Sequence, residues 1–203
     1  MQYNTDKIKQ RLKRKLDADR YEHTIAVTYT ATALAMRYNA DLKKAELAGL
    51  LHDCAKCIPD DTKLNKCIKY HISITDTERN SPYLLHSKLG AFLAMNKYNV
   101  DDKDVINAIL YHTTGRAAMS MLEKIIFIAD YIEPGRTKAA RLPEIRHVAF
   151  VDLDIAMHMI LTDTVEYLKK KQTSFDLATE KALAYYTSLV QEKENLLKKE
   201  SNT

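Results

Sequence analysis

The adjacent residues His52 and Asp53 are of types that bind metals and move protons. They follow the small and apolar stretch 45–51, which predicts a buried helix. Neighbours on a helix diverge by about 100°, yet both side chains can reach one ion beside the helix axis. Imidazole and carboxylate ligands together suit a divalent transition metal. On its own, however, the pair favours a plainer interpretation, a core histidine held by a neighbouring acid.

Two other positions offer ligands of the same types. His23 lies on a predicted core helix, although alone it would be interpreted as a surface or core histidine. Asp130 closes the apolar run 125–129, and a buried carboxylate is costly unless it is paired or binds a metal. A salt bridge from Asp130 to Lys124 or Arg136 is the alternative. The residues that together predict one metal site are His23, His52, Asp53 and Asp130.

Two more histidines, His86 and His112, occur between Asp53 and Asp130 on separate predicted helices. His112 ends its helix, a place where a side chain can face a cleft. The remaining histidines are expected to have surface or core roles; they are His71, His147 and His158.

Composition predicts a single globular domain. The chain has 203 residues, of which 46% are hydrophobic and 29% charged, as in soluble proteins with a substantial core. No apolar run approaches the roughly 20 residues needed to cross a bilayer, and residues 1–15 lack the apolar core of a secretory signal. We therefore expect a cytoplasmic protein. The net charge of +4 comes without an aromatic-interleaved basic patch, so phosphate-bearing ligands are favoured but specific nucleic-acid binding is not expected.

Three cysteines, Cys54, Cys57 and Cys67, are an odd number and argue against a disulfide framework. The first two form a Cys-x-x-Cys, for which a zinc site would need Cys67 and His71 as its second pair. A redox motif would need a βαβ setting, which the sequence pattern does not offer. Incidental reduced thiols are the favoured interpretation over zinc.

Helical periodicity runs through the chain, which contains only four glycines and four prolines, and predicts an all-α fold. Residues 70–75 are the best strand candidate, and a polar loop is expected to end at Ser81-Pro82. We expect one domain over residues 1–190 and a charged C-terminal tail, 191–203, that projects or frays. The predicted helices cover about 7–17, 19–39, 42–55, 61–70, 83–98, 100–111, 121–132, 152–169 and 175–199.

The order His, His-Asp, Asp resembles the HD-domain phosphohydrolase superfamily. A closer resemblance, over about residues 7–187, is to the bacterial YqeK family of HD proteins, the symmetrical diadenosine tetraphosphate hydrolases. Cys54 and Cys57 depart from that pattern but remove no ligand. The motifs that carry the resemblance are Arg20-x-x-His23, His52-Asp53-x-x-Lys56-x-x-Pro59, His112-Thr113-Thr114-Gly115-Arg116 and Ala129-Asp130-Tyr131-Ile132-Glu133-Pro134-Gly135-Arg136.

The resemblance implies a single HD-domain helical bundle with a charged C-terminal helix. It also implies a divalent transition metal on His23, His52, Asp53 and Asp130, with iron as the first choice and manganese or cobalt as alternatives. His86 and His112 would lie beside phosphate oxygens or a second metal. The residues expected to bind substrate are Arg20, Lys56, His86, His112, Thr113, Asp130, Arg136 and, in the polar stretch 171–174, Thr173.

The expected reaction is attack of a metal-activated water on a bridging phosphorus of a dinucleoside polyphosphate, which yields two ADP. Catalytic roles are expected for Asp53, Lys56, His86 and His112, with either histidine protonating the leaving group or only holding phosphate. Alternatives are a nucleotidase, a cyclic-dinucleotide phosphodiesterase with a second metal, a non-catalytic nucleotide sensor and a basic nucleic-acid adaptor. The oligomeric state stays open, a homodimer being one option.

Overall fold

A computed structural model describes residues 3–139, 141–171 and 176–200. Within these ranges the chain is helical and contains no strand, which confirms the all-α prediction, whereas the strand candidate 70–75 was wrong. A short 3₁₀ helix covers Pro82–Leu85. The α-helices are α1 Thr5–Lys13, α2 Ala18–Arg37, α3 Leu42–Leu51, α4 Asp60–Lys69, α5 Asp76–Asn80, α6 His86–Tyr98, α7 Lys103–Tyr111, α8 Met121–Ile132, α9 Leu142–Ala149, α10 Leu153–Lys170 and α11 Leu177–Glu200.

Helix α8 lies at the centre of the bundle. Its run 125–129 is buried, as its continuous apolar character predicts. The helix begins at a capping box, in which Ser120 Oγ accepts the Glu123 N–H and the Glu123 carboxylate accepts the Ser120 N–H. Helices α2, α3 and α7 pack against α8 and α3 packs against both α2 and α7. These four helices therefore form one connected packing unit in the core.

Helices α2 and α3 approach each other most closely at Gly49. A Cβ added to Gly49 would lie 2.9 Å from the Cα of Thr28, a separation that real Cβ atoms do not show. Glycine at this position therefore permits the two backbones to pack directly together, which fixes where the end of α3 lies relative to α2.

Several helix boundaries differ from the predicted ones. Helix α3 ends at Leu51 rather than near residue 55, and His52 is its C-cap. Helices α5 and α9 were not predicted. Helix α5 is short and is held by a capping box between Thr75 and Glu78. Helix α9 follows Arg141, whose backbone is left-handed with a φ of 51°. No helix in the described ranges has the length and apolarity to span a membrane.

Candidate metal centre

The predicted site residues converge from separate parts of the chain. His23 lies in the second turn of α2, and Asp130 in the last turn of α8. His52 and Asp53 follow α3, His86 begins α6, and His112 ends α7. The fold thus brings residues that are more than 100 positions apart in sequence to one end of the core.

Asp53 lies at the middle of this cluster and is only 2% exposed. Its Oδ1 is 3.3 Å from His86 Nε2 and 3.5 Å from His112 Nε2. Its Oδ2 is 2.8 Å from Arg20 Nη1 and 3.5 Å from His52 Nε2. Burial opposes ionisation of Asp53, but the imidazoles of His52 and His112 outweigh burial and hold its pKa well below the usual range. Asp53 is therefore a buried carboxylate that carries its charge.

The rings of three histidines are oriented by their own helices. In each ring Nδ1 lies 2.6–2.7 Å from the carbonyl oxygen three residues earlier. A carbonyl only accepts, so Nδ1 carries a proton in each ring, and Nε2 is the nitrogen that remains to face the centre. The histidine and carbonyl pairs are His52 with Gly49, His86 with Tyr83, and His112 with Ile109.

Asp130 and His23 form the second half of the cluster. His23 Nε2 lies 3.0 Å from Asp130 Oδ1, and Arg136 Nη2 lies 2.8 Å from the same oxygen. Burial raises the pKa of Asp130, but the interactions with His23, His52 and Arg136 are stronger and hold it well below its usual value. Of the two predicted salt-bridge partners, Arg136 does pair with Asp130, whereas Lys124 pairs with Asp154 instead.

The donor set fits a divalent cation. Three buried atoms at the centre, His23 Nε2, His52 Nε2 and Asp53 Oδ1, have no well-aligned hydrogen-bond partner among the described residues. Imidazole lone pairs that face carboxylate oxygens repel one another unless a cation lies between them. Two overlapping groups have ligand atoms within 4.8 Å of one another: His23, His52 and Asp130, and His52, Asp53 and His112. Nitrogen and carboxylate ligands of this kind suit a first-row transition metal.

Polar hydrogens and positive charge gather on one side of the centre. Lys56 Nζ lies 3.3 Å from His86 Nε2, and Thr113 Oγ1 lies 3.1 Å from the Nε2 atoms of both His86 and His112. Burial lowers the pKa of Lys56, and burial together with the nearby His112 and Lys56 lowers the pKa of His86 to about 3. His86 is therefore neutral near pH 7 in the free protein.

An open cavity of about 900 Å³ adjoins the cluster, a size typical of ligand pockets. Arg20, His112, Thr113, Asp130 and Arg136 line the cavity. It is also lined by Tyr131 of α8, Tyr167 of α10 and Lys138. Thr173, which was predicted to bind substrate, lies outside the described residues.

Sequence reasoning assigned no role to Glu133, which is 3% exposed. Its Oε1 lies 3.2 Å from Nδ1 of His23. The available signal was its spacing: Glu133 follows Asp130 by three residues, which places both on one face of a helix.

The cysteines lie apart from this cluster. Cys54 and Cys67 are buried, and the Sγ of exposed Cys57 lies 3.1 Å from Asp17 Oδ2. All three are free thiols, and none belongs to the groups with metal-ligand geometry found in the described ranges. The burial that raises the pKa of Cys54 to about 12 keeps its thiol protonated.

A helical bundle with a His, His-Asp, Asp cluster is the arrangement of HD-domain proteins, and the HD domain family profile matches residues 20–135 of this chain. A symmetrical bis(5′-nucleosyl)-tetraphosphatase from Halalkalibacterium halodurans is 42% identical over 168 residues, which cover 83% of this chain and 89% of the relative. The protein of the same name from Bacillus subtilis is 39% identical over 160 residues, or 79% and 85% of the two chains. The chain therefore belongs to the symmetrical bis(5′-nucleosyl)-tetraphosphatase family of HD-domain proteins.

The fold has a solved counterpart. A crystal structure from Clostridium acetobutylicum, described as a predicted HD superfamily hydrolase involved in NAD metabolism, superposes with a TM-score of 0.88. It is 41% identical in sequence and covers 93% of this chain and 99% of that one. The helical architecture described above is thus shared over nearly the full length of both proteins.

Proposed function

We propose that this protein hydrolyses diadenosine tetraphosphate symmetrically to two ADP, using a divalent cation on His23, His52, Asp53 and Asp130. The observation that carries the proposal is the convergence of unpaired imidazole nitrogens and carboxylate oxygens beside a cavity lined by arginines. Relatives that bear this activity in their names match most of the chain. We propose iron as the cation, with manganese and cobalt as alternatives, because imidazole and carboxylate ligands bind all three.

The bound cation would activate a water molecule and offset negative charge on phosphoryl oxygens. Two guanidinium groups of the chain support this arrangement. Arg20 contacts Asp53 and Arg136 contacts Asp130, so each lies beside a proposed ligand. Phosphate oxygens near the cation would therefore lie within reach of both arginines, which can bind them with two hydrogen bonds each.

Lys56, His86, His112 and Thr113 are proposed to act at the phosphate where the bond breaks. The short distances among their polar atoms place two donors, the Lys56 ammonium and the Thr113 hydroxyl, beside the Nε2 atoms of His86 and His112. The Lys56 ammonium would stabilise charge that develops on the leaving ADP, and Thr113 would donate its hydroxyl proton to a phosphoryl oxygen. The new bond joins a water oxygen to one inner phosphorus, and the bond from that phosphorus to the bridging oxygen breaks. The bridging oxygen leaves with the other ADP, and His86 or His112 would pass it the proton that the water loses.

The cavity would hold the remainder of the substrate. Tyr131 and Tyr167 offer aromatic rings in its lining, on which an adenine could stack, and Lys138 adds positive charge. Thr173 is proposed to contact the nucleoside end.

Product analysis with defined metals tests the proposal. The metal content of the purified protein is measured, and the protein is incubated with diadenosine tetraphosphate and Fe²⁺, Mn²⁺ or Co²⁺. ADP as the sole product is expected. AMP together with ATP would rule out symmetrical cleavage, and no turnover with any metal would favour a nucleotide sensor. Hydrolysis of a cyclic dinucleotide in preference to diadenosine tetraphosphate would favour the phosphodiesterase alternative.

The site placement is tested by Asp130→Ala, which is expected to lose bound metal and activity. Asp61→Ala is the matched control, because Asp61 is exposed at the start of α4, far from the cavity-lining residues in sequence. Full metal content and full activity in the Asp130 variant would show that the centre lies elsewhere.

A further inference from the structure

Glu133 is held in a fixed position at the end of α8. Its Oε2 accepts the backbone N–H of Gly135 at 2.5 Å, and its carbonyl oxygen accepts from Arg146 Nη2 at 2.8 Å. The other carboxylate oxygen, Oε1, lies 3.2 Å from Nδ1 of His23. Both carboxylate oxygens of buried Glu133 therefore have partners and its backbone is fixed. As a result, Oε1 is held beside one ring, that of His23.

His23 differs from the other histidines of the centre in the partner of its Nδ1. The others bond the carbonyl three residues earlier, at helix boundaries. His23 lies inside α2, and the corresponding carbonyl, that of Arg20, already accepts the Thr24 hydroxyl at 2.8 Å. The ring of His23 therefore needs an acceptor from another element, and Glu133, the C-cap of α8, provides it.

We propose that Glu133 is a positioning residue that sets the tautomer of His23. By accepting the Nδ1 proton, the carboxylate keeps Nε2 as the nitrogen that would bind the cation, and it strengthens the ring as a ligand. This role rests on the metal site proposed above, and it goes beyond that proposal because Glu133 contacts neither the cation nor the substrate.

Gly135 is part of the same arrangement. A Cβ at this position would lie 2.9 Å from Oε2 and 3.2 Å from Oε1 of Glu133. Any other residue would push the carboxylate out of place, so Gly135→Ala disturbs the contact with His23 without removing the carboxylate.

Glu133→Gln is a sharp test because the two neighbours of the carboxylate are both donors. If the amide oxygen accepts the Gly135 N–H, the NH₂ group faces His23 Nδ1 and donates to it, which places the ring proton on Nε2. If the amide is turned round, two N–H groups meet at about the separation of the present Gly135 contact, and the side chain must move. The first orientation moves the His23 proton, and the second displaces the side chain from the ring, so either one weakens His23 as a ligand.

The measurement is Co²⁺ binding to the metal-free full-length protein, by calorimetry and by the visible absorption of the bound ion. We expect affinity to fall about 10- to 100-fold in Glu133→Gln, the usual effect of removing a partner of a ligating histidine. The absorption spectrum should change as well. Long-range ¹H–¹⁵N NMR of the metal-free protein should show a protonated Nδ1 in His23 of the wild type and an unprotonated Nδ1 in the variant.

Glu123→Gln is the matched control. Glu123 is also fully buried on α8, but its carboxylate bonds Ser120 N and Arg116. It should lower stability and leave Co²⁺ affinity within about twofold. If Glu133→Gln does not fold, Gly135→Ala takes its place with the same expected loss of affinity.

Wild-type Co²⁺ affinity and an unchanged His23 tautomer in a folded Glu133→Gln protein would overturn the role of Glu133 and leave the metal site intact. Absence of Co²⁺ binding by the wild type would overturn the metal site and the role together. Because no substrate is present, neither result depends on whether diadenosine tetraphosphate is hydrolysed.

Discussion

At the scale of single residues, the His-Asp pair at the end of α3 contacts two different sets of partners. His52 is the helix cap and Asp53 lies in the turn that follows. His52 keeps helical dihedral angles, φ −53° and ψ −42°, so the two side chains diverge as neighbours on a helix do. His52 reaches toward His23, their ring centroids 5.5 Å apart, while Asp53 reaches His86. One dipeptide thus serves both halves of the centre.

Lys56 offers a residue-scale test of the proposed chemistry. We expect Lys56→Met to retain bound metal and to lower kcat about 100-fold, because it removes one half-buried charge from the proposed leaving-group side. Metal analysis and steady-state kinetics with diadenosine tetraphosphate make the comparison. Lys69→Met, which changes an exposed lysine of α4, serves as the control. A kcat equal to that of wild type would remove Lys56 from the mechanism.

The sequence predicted which histidines and aspartates gather, because their types match one metal and their order matches a known pattern. It did not predict the role of Glu133. That role depends on the crossing of α2 and α8 and on the Arg20 carbonyl being already bonded, and neither is visible in spacing along one helix.

At the scale of elements, the contact between α2 and α3 positions His52. Gly49 lies against the Thr28 backbone, and its own carbonyl accepts from His52. We expect Gly49→Ala to lower the free energy of unfolding by about 1–3 kcal/mol, since the helices must separate. That loss exceeds the gain of up to about 1 kcal/mol in helix propensity. Urea unfolding measures the loss of stability. Co²⁺ affinity should also fall, because the Gly49 carbonyl that holds His52 shifts.

Gly90→Ala provides the comparison within α6. The nearest atoms to a Cβ at Gly90 lie at 3.5–3.7 Å, which is ordinary contact. This variant should be as stable as wild type or more stable. If Gly49→Ala were equally well tolerated, close backbone packing would not be what places the end of α3.

The short elements were the least predictable. Residues 71–81 look like a polar loop because α5 is too short to show periodicity, and only the Thr75 and Glu78 capping box stabilises it locally. Helix α9 depends on tertiary contacts: Arg146 donates to the carbonyls of Ile132, Glu133 and Arg136. Such contacts between α9 and the segment after α8 cannot be inferred from the local sequence.

At the scale of the whole molecule, the proposed ligands connect α2, the end of α3 and α8. Co²⁺ at about 100 times its Kd should therefore stabilise the native state by about 2.7 kcal/mol. For a chain of this length that corresponds to a rise of roughly 5–10 °C in Tm. Thermal unfolding with Co²⁺ should show the rise in Tm, and a chelator added afterwards should reverse it. A Tm that does not respond in wild type, or that responds equally in Asp130→Ala, would contradict the placement of the ligands.

The overall architecture followed from composition and periodicity, because scarce glycine and proline and persistent helical spacing leave few alternatives to an α-helical bundle. Which helices become neighbours did not follow. Packing such as that at Gly49 depends on the shapes of two surfaces rather than on either sequence segment.

The bonds between histidine rings and their own helices have a consequence for the timing of ligand capture. His52, His86 and His112 each have one ring nitrogen tied to a carbonyl three residues earlier, so the rings cannot rotate freely before a ligand arrives. The rotamer entropy of these side chains is lost when the helices form rather than at binding. These three rings therefore contribute a rigid receptor, and binding a ligand costs them little further rotamer entropy.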